Sequence, residues 1–223
     1  MGRVTSNSTK MNNNIEMKNS ETYLSELKEI RKMMEESSRF LSLSGLSGVL
    51  VGIIALVGAY IIGQFVYADP AAQAVIVTHG SFTTAIIIAV VVLVLSLLTV
   101  ILLTYRRAKK AGKKIWNRGS KLMLLNLAIP LVTGGLLIII FIRNDIVEII
   151  APGCLIFYGL ALINAAKFTR QEIFWLGIFE VSLGLLAALF SSLGLIFWAI
   201  GFGVLHIIYG IVMYFRYEYN TKE

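Results

Sequence analysis

The sequence predicts an all-α polytopic membrane protein: six transmembrane helices behind an amphipathic cytosolic N-terminal helix, with both termini in the cytoplasm. Three observations carry that expectation. Of 223 residues, 57% are hydrophobic and 15% charged, a balance that a soluble domain of this length does not need. Several uncharged apolar stretches are each long enough to cross a bilayer core, which takes about 20 helical residues. Lysine and arginine gather on alternate connections between those stretches, as the positive-inside rule expects of loops that stay in the cytoplasm.

The chain opens on MGRVTSNSTKMNNNIEMKN, residues 1–19, which is polar, Asn-rich and without apolar period. It reads as a disordered tail, and Met17 competes with Met1 as the natural start. No signal peptide precedes the first span, so that span is expected to drive insertion. From Ser20, an N-cap residue followed by Glu21, the pattern changes. Tyr23, Leu27, Ile30, Met34 and Leu41 form one helical stripe, and charges of both signs fill the rest. Residues 20–41 are therefore expected to form a cytosolic amphipathic helix that either docks on the bundle or headgroups, or seams a homodimer or protein partner.

Six spans follow, at roughly 42–67, 82–105, 122–142, 146–166, 172–191 and 194–215, making a transmembrane domain of 42–215 and a cytosolic tail of 216–223. RNDI and SSLG read as tight turns, because helix running through them would be about twice the length a bilayer requires. The connection RRAKKAGKKIWNRGSK carries eight basic residues and no acid, Lys167 and Arg170 lie between spans four and five, and Arg216 and Lys222 follow span six. The opposite connections hold almost none, Arg143 being the exception. Aromatic residues such as Tyr105, Trp116, Trp175 and Tyr214 mark the cytoplasmic boundary, with Phe65 and Tyr67 at the outer one.

Residues 23–60, YLSELKEIRKMMEESSRFLSLSGLSGVLVGIIALVGAY, resemble the N-terminal signature of an uncharacterised bacterial inner-membrane protein family, in which a short charged helix runs through SRF into SLSGLSG. The resemblance implies a bacterial inner-membrane, multi-pass location. It implies no activity.

Individual motifs narrow the classes. Gly45-Leu46-Ser47-Gly48 is similar to the Gly-x-Ser-Gly of rhomboid-type intramembrane proteases, but Ser47 is on the wrong span and at the wrong depth, and no His-x-x-x-Asn element accompanies it. Packing is the better account: Ser44, Gly48, Gly52, Ala55, Ala59 and Gly63 form a ridge of small residues that admits a neighbouring helix. Pro130, in NLAIPLVTGG, removes the donor that would reach the Asn126 carbonyl, so a static kink is expected, with a cavity-lining break as the alternative. Cys154 lies in an apolar run and reads as a small buried side chain.

Span five carries one carboxylate, Glu180, about eight residues or ~12 Å inside the cytoplasmic boundary; span six brings His206 about nine residues or ~13 Å from the same surface. Tyr209, Asn164 and Asn126 fall in the same leaflet, so the five form a candidate intramembrane polar site. A charge there costs roughly 2.5 to 3.5 kcal/mol even on a mild scale, which leaves two readings. One is a hydrogen-bonded pin that fixes helix register. The other is a proton- or cation-responsive site.

Arg106, Arg107, Lys109, Lys110, Lys113, Lys114 and Arg118, with Trp116, are expected to contact anionic headgroups. Topology explains the net charge of +7 without nucleic acid. Neither metal-ligand spacing nor a phosphate loop nor a nucleophile-base set occurs, and His79 and His206 fall on opposite sides of the membrane, so no cofactor, metal or catalysis is expected. A faint echo relates 153–168 to 203–217, each with a Gly, then Tyr-Gly, then a basic residue. The first expectation of function is a scaffold or regulatory membrane protein acting through 20–41; the alternative is a small transporter or ion-responsive channel using Glu180 and His206.

Overall fold

The computed structural model describes residues 23, 26, 27, 44–66, 79–110, 112 and 116–219, and of residues 65, 66 and 79–82 the backbone alone. The chain divides into two compact units, Met1–Arg39 and Phe40–Glu223. In the first, Tyr23, Glu26 and Leu27 are helical. The expected tail 1–19, most of the helix 20–41, the connection 67–78, Lys113, Lys114 and the last four residues, 220–223, lie outside the described residues.

Six helices in the second unit are long and apolar enough to cross a membrane. They are α1 (Gly45–Val66), α2 (His79–Lys110), α3 (Arg118–Arg143), α4 (Ile150–Ala166), α5 (Gln171–Leu189) and α6 (Ser191–Tyr219). No strand occurs among the described residues. The ends of α2 and α6 differ from the expected boundaries. α2 continues through Lys110, and α6 runs to Tyr219, through residues expected in the tail.

Local chemistry sets the boundaries. Asn117 and Ser120 form a reciprocal capping box at the start of α3: Asn117 Oδ1 accepts from the Ser120 N–H at 2.8 Å, and Ser120 Oγ accepts from the Asn117 N–H at 2.9 Å. At its end, Asp145 takes a left-handed conformation (φ 56°), and the Ile146 N–H reaches back to the Phe141 carbonyl at 2.9 Å, a Schellman-type stop that makes RNDI a turn. Pro130 sits inside the continuous helix α3. The proline leaves the Asn126 carbonyl without its donor, and Asn164 Nδ2 on α4 supplies one at 3.2 Å.

α6 is not uniform. A 3₁₀ turn (Ser191–Leu193) leads into an α segment (Gly194–Ala199), a π segment (Ile200–Leu205), a second α segment (His206–Tyr214) and a terminal π segment (Phe215–Tyr219). In space, α4 packs between α3 and α5, α1 packs between α2 and α6, and α6 joins the two sets by lying against α1, α4 and α5. In the most apolar window of α2 and of α3 only 6% of residues are buried, against 44% in α1 and 39% in α4, so the former two are the flanks.

Glycine brings the inner helices into backbone contact. A Cβ on Gly159 of α4 would lie 2.7 Å from the Gly177 carbonyl oxygen of α5, and one on Gly45 of α1 would lie 2.6 Å from the Gly210 carbonyl oxygen of α6. Gly48 and Gly52 also face α6, whereas a Cβ on Gly63 would meet only Leu195, at 3.9 Å. Ser44, Ala55 and Ala59 are buried. Without a hydrophobic drive between helices in lipid, such close approach is what holds a bundle together.

At the end of the bundle that contains the start of α1, Glu218 of α6 accepts from the Gly45 N–H and from Arg107 of α2, and Ser44 Oγ lies 3.4 Å away. A carboxylate at a helix N-terminus satisfies orphan donors and complements the dipole. Beside it Glu172 accepts from Arg216 at 2.8 Å and from the Tyr217 hydroxyl at 2.7 Å, and the Arg170 guanidinium stacks 3.5 Å above the Tyr217 ring.

Candidate intramembrane polar site

The geometry of α5 and α6 brings Glu180 and His206 together. Glu180 faces Gly201 and Leu155, where a Cβ on Gly201 would come 2.5 Å from Glu180 Oε2, so the missing side chain at 201 makes room for the carboxylate. His206 Nδ1 lies 3.5 Å from Glu180 Oε1. Both are buried, Glu180 to 0% exposure and His206 to 4%.

The imidazole is already committed. Its Nδ1 donates to the Gly201 carbonyl at 3.0 Å, since a carbonyl oxygen only accepts. Its Nε2 lies 2.8 Å from the Tyr158 hydroxyl of α4, which donates to the neutral ring. Phe202 stacks against both rings, at 4.9 Å from Tyr158 and 6.0 Å from His206, with Trp198 one turn further at 5.0 Å from Phe202. Glu180 is left without a hydrogen-bond partner on either oxygen among the described residues.

That result separates two kinds of polar group. Buried polar atoms in folded proteins are hydrogen-bonded in the great majority of cases, and a group left unpaired costs about 1–3 kcal/mol. A register pin would close its bonds. Here one N–H, that of His206 Nδ1, stands between two acceptors, the Gly201 carbonyl and the Glu180 carboxylate. The arrangement can take a proton on the carboxylate, or bind a proton on the pair and hold it as carboxylate and imidazolium.

The π segment explains why the ring stands there. A π turn closes i→i+5 hydrogen bonds and is wider than an α turn, and it frequently marks functional positions. Residues 200–205 form that turn directly before His206, and the Gly201 carbonyl within it is the acceptor for the imidazole.

Not all five residues expected in the polar site share its hydrogen bonds. Asn126 Nδ2 bonds to the Leu122 carbonyl of its own helix at 2.8 Å, and Asn164 mends the proline break in α3. Tyr209 packs on the apolar cluster of Leu162, Ile173 and Leu176. Tyr158 takes the place expected of Tyr209. Depth makes it a candidate without choosing between the tyrosines: counted from residue 166, Tyr158 lies eight residues inside, the depth at which Glu180 lies counted from 172.

Of the basic set, Arg106, Lys109, Lys110 and Arg118 are exposed, and Trp116 is 64% exposed with Lys121 5.9 Å from its ring centre. Arg107 departs from the expectation, because its guanidinium is held by Glu218 and the Tyr217 carbonyl rather than turned to headgroups. The backbone of His79 begins α2, and nothing in the described residues relates it to His206. No family model, curated protein or solved structure matches this chain.

Proposed function

We propose that the chain is a non-enzymatic integral protein of the bacterial inner membrane, with both termini in the cytoplasm, that responds to protons through Glu180, His206 and Tyr158, in the manner of a small proton-linked transporter or channel. The observation that carries this reading is the fully buried Glu180 carboxylate with no hydrogen bond on either oxygen, 3.5 Å from an imidazole nitrogen whose N–H is given elsewhere. Intramembrane ionisable residues are rare and mark proton relays and ion paths. The six apolar helices, the uneven placement of lysine and arginine and the resemblance of residues 23–60 to a bacterial inner-membrane family support the location and orientation. Reconstitution tests the reading: liposomes loaded with a pH-sensitive dye and poised with a potassium diffusion potential should acidify faster with the wild type than with Glu180→Gln. Equal rates for the two proteins, at the level of empty liposomes, would overturn it.

A second reading rests on a different observation. Tyr23 and Leu27, one helical turn apart, are 65% and 61% exposed, an apolar pair on the N-terminal segment that is available to a partner protein or a second copy. It makes the chain a scaffold or regulator working through residues 20–41. Tyr23→Glu with Leu27→Glu should then release whatever co-purifies with the wild type; unchanged partners would remove this reading.

A further inference from the structure

We propose that the groove between α3 and α4 holds one acyl chain of an anionic phospholipid, with the lipid phosphate on Lys167. The groove has a volume of about 400 Å³ and is apolar along most of its length. Gly134 of α3 leaves room for one of the lining side chains: a Cβ there would collide with Phe157. Pro130 and Thr133 wall one side, and Leu160 and Ile163 the other.

The polar groups of the groove are unevenly placed. Leu160, Ile163, Asn164 and Lys167 follow at i, i+3, i+4 and i+7 along α4, one helical stripe on which the cation is terminal. Lys167 is exposed at the end of α4, the same end of the bundle at which Arg118 and Lys121 begin α3. Asn164 spends its Nδ2 on the Asn126 carbonyl and so closes the proline break that would otherwise present an orphan acceptor to lipid.

An apolar channel with a cation only at its mouth fits an amphiphile with an anionic head. A free anion gains nothing from the apolar length, and a zwitterionic lipid gains less from the ammonium, because the cation of its own headgroup offsets the phosphate charge. Positive charge beside an anionic membrane surface attracts the headgroups. α2 supplies the contrast, since Val90, Val94 and Leu97 are exposed there on a stretch of helix that carries no charged residue.

The test places the protein in bilayers containing phosphatidylglycerol with a photoactivatable diazirine on one acyl chain, and maps the crosslinked residues by mass spectrometry. Labelling at Thr133, Phe157 and Leu160 should exceed that at Val90, Val94 and Leu97 several-fold, and Lys167→Gln should bring it down to the α2 level. The phosphatidylcholine analogue should show a smaller preference for the groove. Groove labelling no higher than that of α2, or unchanged by Lys167→Gln, or equal for the two lipids, would overturn the proposal. Lys167 is exposed and Glu180 takes no part, so neither a folding defect nor failure of the proton-linked reading produces these outcomes.

Discussion

The seam between α1 and α6 and the seam between α5 and α4 are built alike, and they differ at one position that matters. Gly45, Val49 and Gly52 of α1 meet Gly210 and Ile207 of α6; Gly177, Val181 and Gly184 of α5 meet Gly159 and Ile156 of α4 with the same spacing. A Cβ on Gly52 would stand 3.0 Å from the Ile207 nitrogen, and one on Gly184 would stand 3.0 Å from the Ile156 nitrogen. In the register of these glycines, Gly48 of the first seam corresponds to Glu180 of the second. Gly48 admits the Tyr209 ring and the Gly210 backbone. Glu180 instead carries a carboxylate, and a third helix, α6, brings His206, itself bonded to Tyr158, to meet it. The same packing therefore runs with a glycine in place of this carboxylate, which argues that Glu180 is kept for something other than packing.

The largest effects should come from the positions where the seams agree. Gly159→Leu and Gly210→Leu force a side chain into backbone on either seam, beyond what rotamer changes can absorb, and each should cost about 3 kcal/mol or more. Unfolding in mixed micelles followed by circular dichroism measures this; tolerance at one seam and not the other would break the comparison. Gly63→Ala, where the added methyl finds ordinary contact, should leave the midpoint unchanged.

Next in size is a feature that only the α4 side has. Asn164→Leu removes the donor to the Asn126 carbonyl, and should lower stability by about 1–2 kcal/mol in the same measurement, the cost of an unpaired buried acceptor. Asn164→Leu combined with Pro130→Ala, which restores the helical N–H, should recover most of that loss. No recovery would mean that Asn164 acts elsewhere.

Glu218→Gln keeps an acceptor for the Gly45 N–H but loses the charge shared with Arg107 and the dipole of α1, and should cost up to about 1 kcal/mol, less at high salt. Smallest among the polar substitutions is Glu180→Gln. Because the first seam packs with a glycine at the equivalent position, this substitution should shift stability by less than about 1 kcal/mol in either direction while removing the proton-linked response. A large loss of stability would return Glu180 to a structural role.

Much of this was legible in the sequence, and particular residues show why the rest was not. Span positions follow from apolar runs, and the depth of Glu180 and His206 follows from rise per residue, so their meeting could be expected once α5 and α6 were read as a hairpin. The faint echo of Tyr158-Gly159 in Tyr209-Gly210 turned out to mark equivalent places on the two seams. Which tyrosine reaches His206 was not legible. It depends on the π segment, where α6 holds five residues between Gly203 and Tyr209 while α4 holds four between Gly153 and Tyr158, and the wider turn takes in the extra one. Asn126 and Asn164 were expected at the level of Glu180, yet Asn126 bonds within its own helix and Asn164 serves the carbonyl that Pro130 leaves free, because depth fixes level along a helix and not the face. Glu218 gave no signal at all, since its partners on α1 and α2 lie more than one hundred residues away in the chain.

The most direct test of the central claim is the infrared difference spectrum of the protein in lipid, titrated between about pH 5 and pH 8, the range in which a histidine partner exchanges its proton. A proton-responsive Glu180 should give a carboxylic-acid C=O stretching band that changes in amplitude with pH, is absent in Glu180→Gln, and moves in frequency in Tyr158→Phe, which alters the ring that faces it. A carboxyl band of constant amplitude across that range, or one that persists in Glu180→Gln, would contradict the account.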